Sequence, residues 1–287
     1  MEEIIITSVQ NARIKHVVAL QQKSSLRREE GLFVVEGQRE IEHCIACGYE
    51  IVEVFRGEWF LDEPSGRSTS SRLLPTGRKK AERDVRGERL DLPVSTVSQQ
   101  VYEKMAYRGS TEGIIAVAKC KNHDLSLLSS LASHHSPLII VLERVEKPGN
   151  LGAILRTAEA AAVDAVIVCD PLTDLYNPNL IRASIGGVFS VPVTVCTSEE
   201  CIAFLKERQI KILTAQLQDS YEYYDYDMRP ATAIVMGTES TGLTQQWREA
   251  ADAHIRIPML GRLDSLNVSV SAAILMYEAV RQRKIKR

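Results

Sequence analysis

From Pro137 to its end the chain alternates short apolar segments with helical patterns, and this alternation restricts the folds open to it. The apolar segments have strand length and cover 137–145, 165–170, 191–196, 211–217, 231–237 and 253–259. Helical patterns lie between most of them, around 151–162, 180–187, 199–208 and 245–251, and a last one covers 268–283. The alternation predicts an α/β domain over 137–287 with a parallel sheet covered on both faces. Ligands of such sheets gather at the carboxyl ends of the strands.

The first 120 residues predict a smaller α/β domain. We expect helices over about 11–26 and 38–47 and strands over 32–37, 50–57 and 113–120. Residues 64–92 are rich in Ser, Gly, Pro and charge, which is typical of a loop. Their eight Lys and Arg against four acids fit either phosphate binding or a solvated loop. Residues 121–136 are expected to link the two domains.

Composition narrows the class of protein. The 287 residues are 45% hydrophobic and 25% charged, as in average globular chains, and the net charge of −2 gives no argument for nucleic acid. No apolar run approaches the roughly 20 residues that span a bilayer, and no signal peptide is visible. Six scattered cysteines favour a reducing cytoplasm. Cys44 and Cys47 form a C-x-x-C pair in a helical segment, for which a buried helix is favoured over redox or metal chemistry, so we expect no metal.

A first polar cluster follows the strand at 137–145. In EKPGNLGAILR (Glu146–Arg156), Gly152 lets the backbone approach a partner closely, and the helix start offers free N–H groups to an anion. Asn150 is predicted to cap this helix or to hold a ligand hydroxyl. Arg156 can reach a phosphate with its planar guanidinium. An ordinary cap and a surface arginine explain the same pattern.

Two further clusters follow later strands. In VMGTESTGL (Val235–Leu243), Gly237 and Gly242 bracket a polar turn that carries Glu239, although a plain strand-to-helix loop would look similar. After Ile257-Pro258-Met259, a Gly-containing loop leads to Ser265-Leu-Asn267 at the start of a long apolar helix. Either polar residue is a credible cap, but a cap alone does not explain both.

These three clusters, N-x-G-x-x-x-R, G-x-E-x-x-G-L and I-P-M…S-L-N, resemble in order the signature motifs of the SpoU/TrmH family of RNA ribose 2′-O-methyltransferases, within the SPOUT superfamily. The resemblance covers 137–287 and includes the intermediate segment 177–193. Upstream, residues 9–45 resemble the small substrate-binding domain of ribosomal-RNA members, whose fold is like that of the L30e/L7Ae ribosomal proteins.

The resemblance implies a fold and a cofactor. It implies a SPOUT domain with a deep trefoil knot, although un-knotted topology is the general expectation. It implies S-adenosylmethionine as cofactor, and a homodimer through the C-terminal domain in which each active site is completed across the interface. The residues implied to bind the cofactor are Thr214, Ala215, Gly237, Ile257, Met259 and Leu266.

The resemblance also implies the reaction, which is methyl transfer to a ribose 2′-hydroxyl. The catalytic residues it implies are Arg156, Asn150, Glu239, Ser265 and Asn267, with Glu239 holding Arg156. Family reasoning treats this arginine in some accounts as a base. Because guanidinium groups in water keep their proton to about pH 12, we predict instead that Arg156 clamps a phosphate and stabilises the developing alkoxide.

The N-terminal domain favours ribosomal RNA of the 23S type as substrate, since RNA is recognised largely through shape and unstacked loops. Candidate RNA contacts are Arg13, Lys15, Arg27, Arg28, Arg39, Arg182 and Ser184. Two alternatives remain open: a transfer-RNA 2′-O-methyltransferase, and a non-catalytic RNA-binding or ribosome-assembly protein. A nucleotide-dependent oxidoreductase would need G-x-G-x-x-G, which the sequence lacks.

Overall fold

The computed structural model describes residues 5–61, 93–109, 112–133, 136–238 and 241–284. The predicted loop at 64–92 and the predicted site residue Glu239 lie outside these ranges. The chain divides into an N-terminal unit, residues 1–121 with 176–178, and a C-terminal unit, which contains the rest. Within the described residues, no helix has the length and apolar character needed to cross a bilayer.

The N-terminal unit contains a mixed five-stranded sheet with short helices. Its elements are β1 (Ile5–Ile6), α1 (Ala12–Gln22), α2 (Ser24–Glu30), β2 (Leu32–Glu36), α3 (Gln38–Ala46), β3 (Ile51–Gly57), β4 (Val94–Val97), α4 (Gln99–Met105) and β5 (Ile114–Lys119). The strand order is β1-β4-β3-β5-β2, with β4 parallel to both neighbours and β5 antiparallel to both. Buried apolar residues of α1 and α4 pack with those of β2 to β5 to form the core.

The helix predicted over 11–26 is interrupted. Lys23 adopts an extended conformation (φ −113°, ψ 108°) and separates α1 from α2. The guanidinium of Arg27 is buried and donates hydrogen bonds to the carbonyl oxygens of Leu20 (2.5 Å) and Gln21 (3.2 Å). These are among the carbonyls that a helix end leaves without an intrahelical partner. Arg27 therefore stabilises the break, and its predicted contact with RNA would require these bonds to be given up.

The C-terminal unit contains a seven-stranded parallel sheet. Its elements are β6 (Leu138–Glu143), α5 (Pro148–Ala160), β7 (Ala165–Cys169), α6 (Pro178–Ser184), α7 (Gly187–Ser190), β8 (Val193–Cys196), α8 (Ser198–Glu207), β9 (Lys211–Ala215), β10 (Tyr221–Glu222), β11 (Thr232–Met236), α9 (Gln245–Ala250), β12 (Ala253–Arg256) and α10 (Val268–Lys284). The strand order is β10-β12-β9-β11-β6-β7-β8. All six pairings are parallel, which confirms the predicted α/β class.

The central strands are buried on both faces, as their continuous apolar sequences require. Every residue of β6, β7 and β11 is buried. Residues 122–133, which the sequence assigns to a linker, belong to this unit. The carbonyl oxygen of His123 accepts a hydrogen bond from the amide of Val195 (2.6 Å), and Leu128 is buried in the core. Helix α10 packs against α5 and β11, which brings the third polar cluster beside the first.

Candidate active site

The carboxyl ends of β9, β11 and β12 border a cavity. Strand β11 lies between β6 and β9, with Met236 opposite Leu142 and Val235 opposite Thr214, and β12 lies beyond β9. The loops that leave β9, β11 and β12 enclose this cavity, whose volume is about 350 Å³. Residues predicted from the sequence that line this cavity are Ala215, Gly237, Ile257, Met259, Ser265 and Leu266.

A second cavity of about 300 Å³ adjoins the first. The two share Gly237, Thr238 and Val268 in their walls. Asn150 and Lys147, from the start of α5, line only the second cavity. Each volume falls within the range of about 300–1,000 Å³ that is usual for small-molecule sites. One strand edge therefore borders two adjoining cavities.

A side-chain hydrogen bond joins the first and third polar clusters. The amide nitrogen Nδ2 of Asn267 donates to Oδ1 of Asn150 (3.2 Å). Oδ1 of Asn267 accepts from the backbone amide of Ser269 (2.9 Å) and from its hydroxyl (2.6 Å), so Asn267 caps α10. Ser265 is not the cap, and its hydroxyl lies 3.4 Å from Oδ1 of Asp264. The cap thus also orients Asn150.

Asn150 itself does not cap α5, which corrects one of its two predicted roles. The helix begins at Pro148, with Lys147 in the cap position. Proline is favoured at this first position because its missing N–H would have no helical partner. Asn150 lies inside the first turn, where its side chain contributes to the cavity wall.

The two glycines of the first and second clusters serve close packing. A methyl group at Gly152 would lie 2.6 Å from the Cβ of Ala183 and 2.7 Å from the carbonyl oxygen of Leu180, so this residue lets α5 approach α6. A methyl group at Gly237 would lie 2.3 Å from the carbonyl carbon of Gly242. Gly242 has φ +69° and its amide donates to the carbonyl of Thr238 (3.1 Å). Position 237, directly after β11, therefore requires glycine.

Two polar atoms in the first cavity have no partner in the described part of the chain. They are the buried Nε of Arg248 and the buried Oε1 of Gln216. Buried polar atoms are nearly always hydrogen-bonded, so an unpaired donor and an unpaired acceptor in two cavity-lining residues are candidates for contact with a polar ligand. Sequence reasoning missed both residues. Gln216 lies inside the predicted strand 211–217 and directly follows the observed strand β9. Arg248 lies in α9, where an arginine carries no particular signal.

Arg156 lies on α5 with an exposed side chain and lines neither cavity. Within the described ranges it makes no hydrogen bond or ion pair with this chain. Its predicted partner Glu239 is not among the described residues. The side chain is thus exposed six residues beyond Asn150, which is nearly two helix turns from the cavity wall.

Two other predicted residues are buried and bonded inside the fold. Thr214 is fully buried, and its hydroxyl lies 2.6 Å from Nδ1 of His254, so it supports the strand rather than lining the cavity. Ser184 is also buried, and its hydroxyl donates to the carbonyl of Ile181 (2.9 Å). Neither hydroxyl is exposed, and the contacts of Thr214 with the cofactor and of Ser184 with RNA stay predictions.

The remaining RNA candidates are exposed. Lys15, Arg28 and Arg39 in the N-terminal unit and Arg182 in the C-terminal unit expose their side chains. Arg13 is exposed but forms an ion pair with Glu53 and donates to the hydroxyl of Ser95 (2.6 Å). An arginine already paired within the chain is a weaker candidate for binding phosphate, since it must first lose that partner.

A buried carboxylate holds the far end of the second cluster. Glu143, the last residue of β6, is 1% exposed. Its Oε2 accepts from the amide of Thr244 (2.9 Å) and its Oε1 from the hydroxyl of the same residue (2.6 Å). Thr244 directly follows the loop of the second cluster, so the two hydrogen bonds to Glu143 hold that end of the loop in place. Sequence reasoning missed it because it lies within an apolar strand.

Replacing Glu143 with glutamine is expected to destabilise the protein by about 1–3 kcal/mol. The side-chain nitrogen of the glutamine would face a donor of Thr244, so one buried polar group would lose its hydrogen-bond partner. The shifted loop should also bind ligand less tightly. Urea unfolding with an unchanged slope, together with ligand titration, measures both effects. The exposed Glu159→Gln is the matched control. An unfolding midpoint equal to that of the control would contradict the supporting role.

Comparison with known proteins gives consistent matches. Residues 137–277 match the SpoU rRNA Methylase family, and residues 11–116 match the MRM3-like substrate binding domain. The chain is 36% identical over 199 residues to a Bordetella pertussis protein named 23S rRNA (guanosine-2′-O-)-methyltransferase RlmB, covering 69% of this chain and 81% of the relative. It is 28% identical over 285 residues to the 23S rRNA (uridine(2479)-2′-O)-methyltransferase of Streptomyces viridochromogenes, covering 97% and 92%.

Solved structures resemble the chain over nearly its whole length. A crystal structure described as an RNA 2′-O ribose methyltransferase has a TM-score of 0.77 and 35% identity, and the match covers 98% of this chain and 100% of that one. The SpoU methyltransferase AviRb from Streptomyces viridochromogenes, in complex with AdoMet, has a TM-score of 0.79 and 25% identity, with coverage of 97% and 100%.

Proposed function

Because the chain belongs to the SpoU rRNA methylase family, we propose that it transfers a methyl group from S-adenosylmethionine to a ribose 2′-hydroxyl of ribosomal RNA, of the 23S type. The observation that carries the proposal is the pair of adjoining cavities at one strand edge, joined by the hydrogen bond between Asn267 and Asn150. A methyl donor and a ribose must lie side by side for this reaction, and the two compartments provide that arrangement.

The first cavity fits S-adenosylmethionine. When bound, this cofactor supplies a methyl group on a positively charged sulfur, already activated for transfer. Its carboxylate, ribose hydroxyls and adenine edge offer the acceptors and donors that Arg248 Nε and Gln216 Oε1 lack within the described chain. Apolar side chains of Ile257, Met259 and Leu266 line the rest of the cavity wall. Polar groups at fixed points in an apolar cavity are the usual basis of orientation and specificity.

The second cavity is proposed to receive the ribose. A ribose hydroxyl is a weak acid and a weak nucleophile, so orientation and stabilisation of the charge that develops on its oxygen dominate the barrier. Asn150 lines this compartment and is oriented by Asn267, which supports a role in holding the hydroxyl. We assign to Arg156 the binding of the neighbouring phosphate and the stabilisation of the alkoxide, since its guanidinium presents a fork of donors.

We propose that the active protein is a homodimer through the C-terminal unit. Arg156 is exposed and lines neither cavity of its own chain, which supports an active site completed by a second copy. Helix α10 exposes Val270 and Tyr277, two helical turns apart and thus on one face, and the preceding loop exposes Leu260 and Leu263. Several large apolar side chains exposed along connected segments are typical of interaction surfaces.

The N-terminal unit is proposed to select the RNA. Its match to a substrate binding domain and the exposed charges of Lys15, Arg28 and Arg39 support this role. Basic side chains that neutralise phosphates supply affinity without reading sequence, so the target is set by the shape of the RNA around these contacts.

The substrate class is tested by incubating the full chain with radiolabelled S-adenosylmethionine and RNA that carries no modifications. We expect label in 23S-type ribosomal RNA and no more than background in 16S-type ribosomal RNA and transfer RNA. Replacing Lys15, Arg28 and Arg39 together with alanine should raise the KM for RNA and reduce its salt dependence, while the cofactor Kd stays unchanged. Label mainly in transfer RNA would contradict the proposed substrate but not the methyltransferase activity.

A further inference from the structure

Three cysteines meet in the C-terminal unit where β7 and β8 end, at the other end of the strand order from β9 and β12. Cys169 is the last residue of β7, Cys196 is the last residue of β8, and Cys201 lies in the first turns of α8. Cys169 and Cys196 are paired in register on neighbouring strands. The three sulfur atoms all lie within 4.8 Å of one another. None of the three residues lines either active-site cavity.

The burial of the three thiols differs in a way that matters for binding. Cys169 and Cys201 are fully buried in the apolar core, together with Trp247 and Leu205. Cys196 is partly exposed, so solvent reaches the cluster from its side. Because the three sulfur atoms lie within 4.8 Å of one another, the three thiols converge on one small region. Isolated buried cysteines act as small apolar side chains, but three convergent thiols form a set of soft ligands.

We propose that Cys169, Cys196 and Cys201 bind a thiophilic metal ion, with zinc(II) as the ion of first choice. Zinc bound at about 2.3 Å to tetrahedral sulfurs holds them about 3.7 Å apart, so the observed cluster needs only small side-chain movements. Each thiol that becomes a ligand releases its proton to water. The sequence could not reveal this site, because the three residues follow no ligand spacing and meet only through strand pairing.

The surroundings favour a cation. The carboxylates of Asp170 and Glu200 are close enough to act electrostatically on Cys196. Asp170 is held in place by the amide (3.2 Å) and the hydroxyl (2.6 Å) of Ser198, so its charge stays beside the cluster. Among the residues that the structure describes, no fourth His, Cys, Asp or Glu joins the three sulfurs. Water on the exposed side of Cys196 would complete the tetrahedron, as in other zinc sites with three protein ligands.

Such an ion would crosslink the last two strands of the sheet and the helix that follows them. It would join β7, β8 and α8, which are otherwise held by ladder hydrogen bonds and packing. Since the ion binds the folded chain but finds no preformed site in the unfolded one, it should raise thermal stability in proportion to the logarithm of its concentration. The site is separate from the methyl transfer chemistry, so its test does not depend on catalytic activity.

The test uses the full chain, reduced and freed of metal with a chelator that is then removed. Zinc(II) is titrated in competition with a chromophoric chelator, and cobalt(II) is used to report thiolate ligation through its charge-transfer absorption. We expect one zinc per chain for the wild type. We expect at least about 100-fold weaker binding for Cys196→Ser, since a ligand is lost. Cys47→Ser, a partly exposed cysteine of the N-terminal unit, is the matched control and should bind as the wild type does.

A second measurement uses the wild-type chain, so its result does not depend on whether the Cys196→Ser variant folds. Zinc should protect Cys196 from alkylation, as mapped by peptide mass spectrometry, and should raise Tm with increasing concentration. The proposal is overturned if wild type and Cys196→Ser bind zinc equally, or if zinc leaves the alkylation of Cys196 unchanged. It is also overturned if the chain instead forms a disulfide between Cys169 and Cys196, seen as the loss of two hydrogens in mass, and the reduced chain binds no zinc.

Discussion

Replacing Arg156 with alanine is expected to lower the rate of methyl transfer about 100- to 1,000-fold, the usual cost of removing one group that stabilises developing charge. Cofactor affinity should stay within about twofold of the wild type, because Arg156 lines neither cavity. The prediction is thus a loss in kcat with an unchanged cofactor Kd. Single-turnover rates at saturating RNA, together with equilibrium titration of S-adenosylmethionine, separate the two quantities.

Replacing Arg156 with lysine distinguishes a fork of donors from a simple charge. Lysine keeps the positive charge but cannot bind a phosphate through two parallel N–H groups, so most of the activity should still be lost. Arg229→Ala is the matched control, because it removes an exposed arginine that pairs with Asp227. Full activity of the lysine variant would show that a positive charge alone suffices, and it would contradict the proposed binding of a phosphate by the guanidinium of Arg156.

Replacing Gly237 with alanine is expected to weaken S-adenosylmethionine binding roughly 100-fold. The added methyl group would lie 2.3 Å from the carbonyl carbon of Gly242 and 2.6 Å from the amide nitrogen of Leu243. Both are backbone atoms, so the loop that forms part of the cavity wall must move. Overpacking typically costs about 1–3 kcal/mol, and the upper end of that range corresponds to roughly 100-fold in Kd. Equilibrium titration of the cofactor measures the loss.

The matched control for this variant is Gly261→Ala. Gly261 lies in the loop before α10, and a methyl group there meets no atom of the described chain within 4 Å. Its cofactor Kd should equal that of the wild type. Circular dichroism and the urea midpoint show whether Gly237→Ala remains folded. Wild-type affinity in a folded Gly237→Ala variant would mean that this loop does not shape the cofactor site.

The C-terminal sheet was predictable because its strands are buried on both faces. Six apolar segments in the sequence correspond to six of the seven strands in this unit. Two short strands and one helix break that the sequence did not predict, in the two units together, have physical reasons. Strands β1 and β10 contain two residues each, too few for any period, and form only through pairing with β4 and β12. The break at Lys23 carries no Gly or Pro and is stabilised by the distant side chain of Arg27.

The candidate site was predictable where it follows a strand end, and less so elsewhere. Ala215 and Thr214 are neighbours, but successive strand residues face opposite sides, so only Ala215 reaches the cavity. Glu143 lies within an apolar strand, and its role depends on a hydrogen bond to Thr244, 101 residues away. The cysteine cluster likewise depends on strand order. Periodicity describes local structure, whereas these contacts depend on which elements become neighbours in the folded chain.

The identity of the methylated nucleoside tests the central claim most directly. Ribosomal RNA labelled by the wild type with S-adenosylmethionine would be digested to nucleosides and analysed by mass spectrometry, with Arg156→Ala run in parallel. The account predicts that the label resides in a 2′-O-methylnucleoside, with the mass increase on the ribose fragment, and that the variant yields little of it. A mass increase on the base fragment would contradict transfer to the ribose and with it the roles assigned to Asn150 and Arg156.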